Sequence, residues 1–145
     1  MFTLVTANII SPELILTNGI SITTNLIKSI KYLSQISYND NELSDLIFTS
    51  DILEDIGIIK NFIEDMSLKT NLCKTIKICI ENLNQSLLSL EYNINSITIK
   101  IENHKKLWFG YIRSYNISNE KKQIPILMKQ MYHRFNMLIQ ISSVI

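Results

Sequence analysis

Cys73, Cys79, His104 and His133 are the side chains of this chain best suited to metal or nucleophilic chemistry, and their spacing argues against both. Six residues apart on one helix, the two cysteines would have α-carbons about 9 Å apart, beyond the roughly 7 Å that a disulfide spans. Neither CxxC nor HExxH occurs, and both histidines are remote from the thiols, so no metal-ligand set is expected. Two structural thiols in a reducing compartment is the plain reading. His104 falls seven residues after Ile97, the place of a packed, hydrogen-bonded core histidine, while His133 beside Arg134 reads as solvated. Glu64-Asp65 reads as a solvated acidic patch at a helix end. With no glycine-rich phosphate loop, no GxSxG and no carboxylate pair beside a base, no catalytic, cofactor or metal residue is assigned, and an enzyme is not expected.

A basic, aromatic segment is the stronger candidate. Lys100, Lys105, Lys106, Arg113, Lys121, Lys122 and Lys129, followed by Arg134, face only Glu102 and Glu120 between residues 100 and 134. Trp108, Phe109, Tyr111 and Tyr115 stand among them. Aromatic rings sit at headgroup depth, and each nearby Lys or Arg adds about 1 kcal/mol toward an anionic membrane surface. The same mixture could stack bases, although nucleic acid is the less favoured partner. The chain is also asymmetric: residues 1–70 hold four lysines against nine acids, and residues 71–145 hold ten basic residues against four acids. Either the two halves pack as complementary surfaces, or a basic face is offered to a polyanion.

The elements that must position these residues are helices. Gly 3 and Pro 2 in 145 residues leave few turns, which favours few, long elements. Leu72, Ile76, Cys79, Leu83, Leu87, Leu90, Ile94, Ile97, Ile101 and Trp108 recur at steps of three, four or seven, one seam of a helix roughly 45 Å long. Asn95 to Ile101 also alternates as a strand would, but the seam passes through it and no Gly or Pro bounds it. Thr70 or Asn71 is the expected cap of this helix.

Ahead of it, Ser11-Pro12-Glu13 opens a first helix to about residue 36, with Leu16, Ile20, Thr23, Ile27, Ile30 and Leu33 or Ser34 on one face and Gly19 as a weak point. Leu43 to Met66 carries a second stripe, either continuous or broken at Thr49-Ser50-Asp51, where Asp51 and Glu54 have capping-box spacing. Gly57 allows close approach or a bend there. The last helix is capped by Ser118 and kinked at Pro125, or begins near Ile124; it carries Ile124, Leu127 or Met128, Met131, Phe135, Leu138 and Ser142, with Ser142 to Ile145 expected to fray. The sparsely charged residues 1–27 lack a basic start and a plain apolar run, so neither a secretory signal nor a membrane span is read there. The expected architecture is all-α: one domain over residues 1–145, an antiparallel four-helix bundle with a long third helix whose last two helices form a hairpin through the aromatic turn.

The order of long amphipathic helix, Lys105-Lys106-Leu107-Trp108-Phe109, a short Arg/Tyr segment and a final helix ending Arg134-Phe135-Asn136-Met137-Leu138-Ile139-Gln140-Ile141 resembles the closing hairpin of HeLo-type cell-death four-helix bundles. The resemblance implies a bundle that self-associates and binds or permeabilises membranes, working in the cytoplasm and peripherally at a membrane, with the first helix entering lipid. In the animal necroptosis member of that group the lipid-contacting basic residues lie on early helices, which are acidic here, so none is carried over. The other class of function is a structural or adaptor helical protein, such as a viral or accessory component, that binds a protein partner through helix–helix contacts.

Overall fold

A computed structural model describes residues 11–37, 40–48, 51–69, 71–106 and 116–144, and these are all-α. Helix α1 spans Pro12–Ile36; α2, Asn41–Leu43, runs on into a π-helical turn Ser44–Phe48; α3 spans Ile52–Ser67, α4 Lys74–Lys106 and α5 Ser118–Val144. The stripe from Leu43 to Met66 is therefore broken, a short piece followed by a longer one.

Local chemistry fixes the start of α1 as expected. Ser11 is extended, at φ −67° and ψ 148°, and its side chain accepts from the Leu14 N–H. The α1 face is wider than the expected stripe. Ile22 and Leu26 join Leu16, Thr23, Ile30 and Leu33 in the core, and Ile20 and Ile27 lie half-buried at its edge. The reason is that α1 packs against two long helices at once, α3 and α4.

The other expected caps differ in position or in bonding. Asp51 stands before α3 at φ −81° and ψ 32°, and its side chain makes no capping bond. Asp40 does cap, accepting from the Leu43 N–H at 3.0 Å. Helix α4 begins at Lys74 rather than after Thr70 or Asn71, with the Cys73 carbonyl accepting its first bond from the Lys77 N–H. Asn116, not Ser118, caps α5: its Oδ1 accepts from both the N–H and the hydroxyl of Ser118. Pro125 lies inside α5, and that helix continues to Val144, past the expected fraying point. Among the described residues nothing lies within 4 Å of where a Cβ on Gly57 would stand, so they make no close approach there.

The seam of α4 is buried at every helical position from Ile76 to Ile101, and Leu72 is half-buried ahead of the helix. Trp108 and the rest of the aromatic turn, 107–115, lie outside the described residues. Ile97, Ile99 and Ile101 are helical, as the seam requires. Cys73 is exposed and Cys79 buried, and both are free thiols.

The long helices alternate in direction along the chain. Asn84 meets Ile15 and Lys105 meets Ile36, so α4 runs parallel to α1 at a constant offset. Asn93 and Lys100 meet Glu120 while Arg134 meets Asn82, so α5 returns antiparallel along α4. Gly19 faces Ile63, which sets α3 antiparallel to α1. Side-chain contacts join α3 to α5, among them Tyr132–Asp55 and an edge-to-face contact of Phe62 and Phe135 at 5.5 Å. Around the bundle the order is thus α3, α1, α4, α5, so the consecutive helices α3 and α4 lie across its diagonal. Among the described residues, 26 buried apolar side chains form one cluster.

Candidate interaction surfaces

The basic residues divide into those that hold the fold together and those that face solvent. Because α1 and α4 run parallel, their C-termini lie at the same end of the bundle. There the Lys105 ammonium donates to the Ile36 carbonyl at 2.6 Å, pairing an acceptor that the helix leaves open at its negative end. Lys121 reaches from the first turn of α5 to the segment after α1, with Asp40 at 3.0 Å and Glu42 at 3.3 Å. Burial pulls the Lys121 pKa down, but hydrogen bonds and charge from the two carboxylates outweigh it and leave the value above the ordinary lysine range. This contact joins the basic half of the chain to the acidic half, the complementary packing that the charge asymmetry allows.

Lys100 pairs with Glu120, whose backbone carbonyl also accepts from Asn93 at 3.0 Å. The Lys100 hydrogen bond holds the Glu120 carboxyl below the usual carboxylate range against the opposing effect of burial. Arg134 donates to the Asn82 carbonyl at 2.8 Å. Of the seven residues predicted to contact lipid or another polyanion, Lys100, Lys105 and Lys121 are therefore occupied. Lys106, Lys122 and Lys129 are exposed and form no ion pair among the described residues, and Arg113 lies outside them.

His104 is half-buried and lines a cleft of about 460 Å³ with Asp40, Glu42, Lys121 and Lys122. The carboxylates of that cleft already face Lys121, so it offers a neutralised polar surface. His133, Glu64 and Asp65 are exposed as expected. Among the described residues no group of His, Cys, Asp and Glu could hold a metal ion, and no helix is long and apolar enough to cross a membrane.

A second surface lies on α4, opposite its core seam. Ile78, Leu88, Tyr92 and Ile99 are 47%, 49%, 80% and 57% exposed, which is unusual for four large apolar side chains on one helix face. With Glu81, Gln85, Asn95 and Glu102 they form an unbroken three-four series of their own. Along one edge of this series α1 and α4 enclose a groove of about 410 Å³ that includes Asn18, Ser21, Gln85 and Leu88, and Leu14 of α1 is half-exposed. A shallower hollow continues past Tyr92 to Asn95. At its far end Glu102 hydrogen-bonds Tyr32 of α1 and, with its charge, raises the phenol pKa. Glu91 borders the series, and burial raises its carboxyl pKa. The spacing rule that finds the core seam also finds this one; the buried series is the more apolar of the two and masks it. No family model, curated protein or solved structure matches this chain.

Proposed function

We propose that this chain is a non-enzymatic helical interaction module that works through helix–helix contact along the outer face of α4. The observation that carries the reading is the exposed series from Ile78 to Glu102, which repeats the heptad logic of a helix seam with no described helix covering it. Its apolar groups are large, with Leu88 and Tyr92 one helical turn apart at its middle, and the groove beside them gives a second helix a place to seat. The test is a photo-crosslinking side chain placed at Leu88 in one variant and at Lys122 in another, expressed in the same cells. Adducts at 88, whether to this chain or to another polypeptide, with none at 122, support the reading. Adducts at neither position overturn it.

One observation favours a membrane-binding role of the HeLo kind. Lys106 and Lys122 stand exposed at the same end of the bundle, with Lys129 further along α5, and free lysines attract anionic lipid. Vesicle flotation at low salt with phosphatidylserine tests it. Binding abolished by Lys106→Glu, Lys122→Glu and Lys129→Glu together supports that role, and absence of binding by the folded wild type removes it.

A further inference from the structure

We infer that the partner of the α4 outer face is a second copy of this chain, its α4 running antiparallel to the first. The inference rests on the interaction reading above and names its occupant. A two-fold contact must be self-complementary, with residue i meeting j and j meeting i, and one antiparallel register of this face brings its two adjacent apolar side chains, Leu88 and Tyr92, together at the centre.

Ile78, Gln85, Tyr92 and Ile99 recur every seventh residue, as do Glu81, Leu88, Asn95 and Glu102. In an antiparallel pair each set layers against the other. With the axis at the level of Leu90, Tyr92 meets Leu88 of the second copy and Leu88 meets its Tyr92, an apolar centre of two aromatic and two aliphatic side chains. The next layer on each side sets Gln85 against Asn95, two amides that can each donate and accept. The outer layers set Ile78 against Glu102, where the turn carrying Lys74 and Lys77 supplies opposite charge, and Ile99 against Glu81. A parallel pair would instead stack Glu81 on Glu81 and Glu102 on Glu102, and like charges facing each other are unfavourable. Moving the antiparallel register by one heptad separates Tyr92 from Leu88.

Size points the same way. From Ile78 to Glu102 the face is roughly 36 Å long at about 1.5 Å per residue, and a strip about 10 Å wide supplies near 400 Å² per copy. The adjoining edge of α1, with Asn18 and Ser21, borders the same groove. Counting that edge, the total approaches the lower end of the roughly 1,200–2,000 Å² of specific interfaces. A contact of that size belongs with weak, transient association.

Sedimentation velocity from about 1 to 200 µM tests for such an association. The wild type is expected to pass from monomer to dimer across the series. Leu88→Glu and Tyr92→Glu, each at an exposed position, are expected to weaken dimerisation by at least about tenfold with unchanged helical circular dichroism. Register is read by cysteine pairing in a Cys73→Ser background. Gln85→Cys and Asn95→Cys should form disulfides only when the two variants are mixed, whereas a parallel dimer would link each variant to itself. A wild type that stays monomeric throughout, a dimer indifferent to both Glu substitutions, or self-linking of Gln85→Cys overturns the inference. A monomeric wild type that still gives Leu88 photo-adducts with a different polypeptide overturns the second copy alone and leaves the interaction reading standing; with no adducts, both fall.

Discussion

Asn84 Oδ1 lies 2.8 Å from the point where a Cβ on Gly19 would stand, and the same side chain donates from Nδ2 to the Ile15 carbonyl at 3.0 Å. Asn84 is 7% exposed and its Oδ1 has no conventional donor. What faces it is the Gly19 backbone, where a Cα–H contact is the available partner. Helix propensity alone favours Ala over Gly by about 1 kcal/mol. Here the added methyl would meet both Asn84 Oδ1 and Ile63 Cδ1, the latter at 3.1 Å, so packing opposes propensity. Gly19→Ala is expected to lower stability by about 1–2 kcal/mol net. In a urea-unfolding cycle with Asn84→Ala, the double variant should be more stable than the singles add up to, by at least about 0.5 kcal/mol. Strict additivity would show that the two residues do not share the contact.

Two residues separate the core seam of α4 from its outer series. Leu90 is 0% exposed and Leu88 is 49% exposed. A carboxylate at 90 has no water and no counter-charge, which costs several kcal/mol, a large part of what a domain of this size has. Leu90→Asp is expected to abolish cooperative unfolding, and Leu88→Asp to change the monomer's stability by less than about 1 kcal/mol. Thermal unfolding followed by circular dichroism separates them, and equal damage from both would contradict the assigned faces.

The contrast shows which parts of this structure are legible in the sequence. The α4 seam is, because a period set by helix geometry recurs over seven turns without relying on any one residue. The caps are less so: Asp51 does precede α3 but its side chain makes no capping bond, α4 starts three residues beyond Asn71, and Ser118 is already the first residue of α5, since tertiary packing selects among several suitable starts. Gly19 reads as a propensity cost because Asn84, which gives it a purpose, is 65 positions away in the chain. The run of lysines reads either as a surface complementary to the acidic half or as a basic face for a polyanion, but a charge pattern does not say that Lys105 meets the end of α1 and Lys121 the acids that follow it. Nor does periodicity alone order the helices around the bundle, where α4 lies beside α1 rather than α3.

Acid stability should depend on Glu120. Its folded pKa lies below the unfolded value near 4.5, so between the two the unfolded state binds more protons. Stability therefore rises with pH through that window and is lost as pH falls through it. Because Lys100 is 47% exposed, solvent screening limits the pair to about 1 kcal/mol at neutral pH. Denaturation midpoints between about pH 3 and 6, where carboxylates titrate, should fall less steeply for Glu120→Gln than for the wild type. Parallel profiles would deny Glu120 this role.

At the alkaline end the corresponding group is Tyr132. Its hydroxyl donates to Asp55 at 2.6 Å, the polar link between α5 and α3. Burial, and then the Asp55 hydrogen bond, push the phenol pKa well above its ordinary 10.0. A raised folded pKa means stability that is present below 10.0 and lost as pH rises beyond it. Tyr132→Phe should cost about 1 kcal/mol at neutral pH and lose less than the wild type above pH ~10. A neutral-pH stability equal to wild type would mean that the hydroxyl gains nothing over water.

Pro125 is exposed in the second turn of α5, where it cannot donate to the Lys121 carbonyl. Ile124, directly before it, is fully buried, so any bend at this point acts on the packing of α5 against α4. Two effects compete in Pro125→Ala. Restoring the helix bond and removing the ring clash favour Ala by up to about 3 kcal/mol, while the freer unfolded chain opposes it by about 0.4–1 kcal/mol. The net expectation is a gain of about 1–2 kcal/mol in chemical denaturation, provided that Ile124 and Met131 keep their places. A loss of stability would instead mean that the proline bend seats those two residues and that the straight helix cannot.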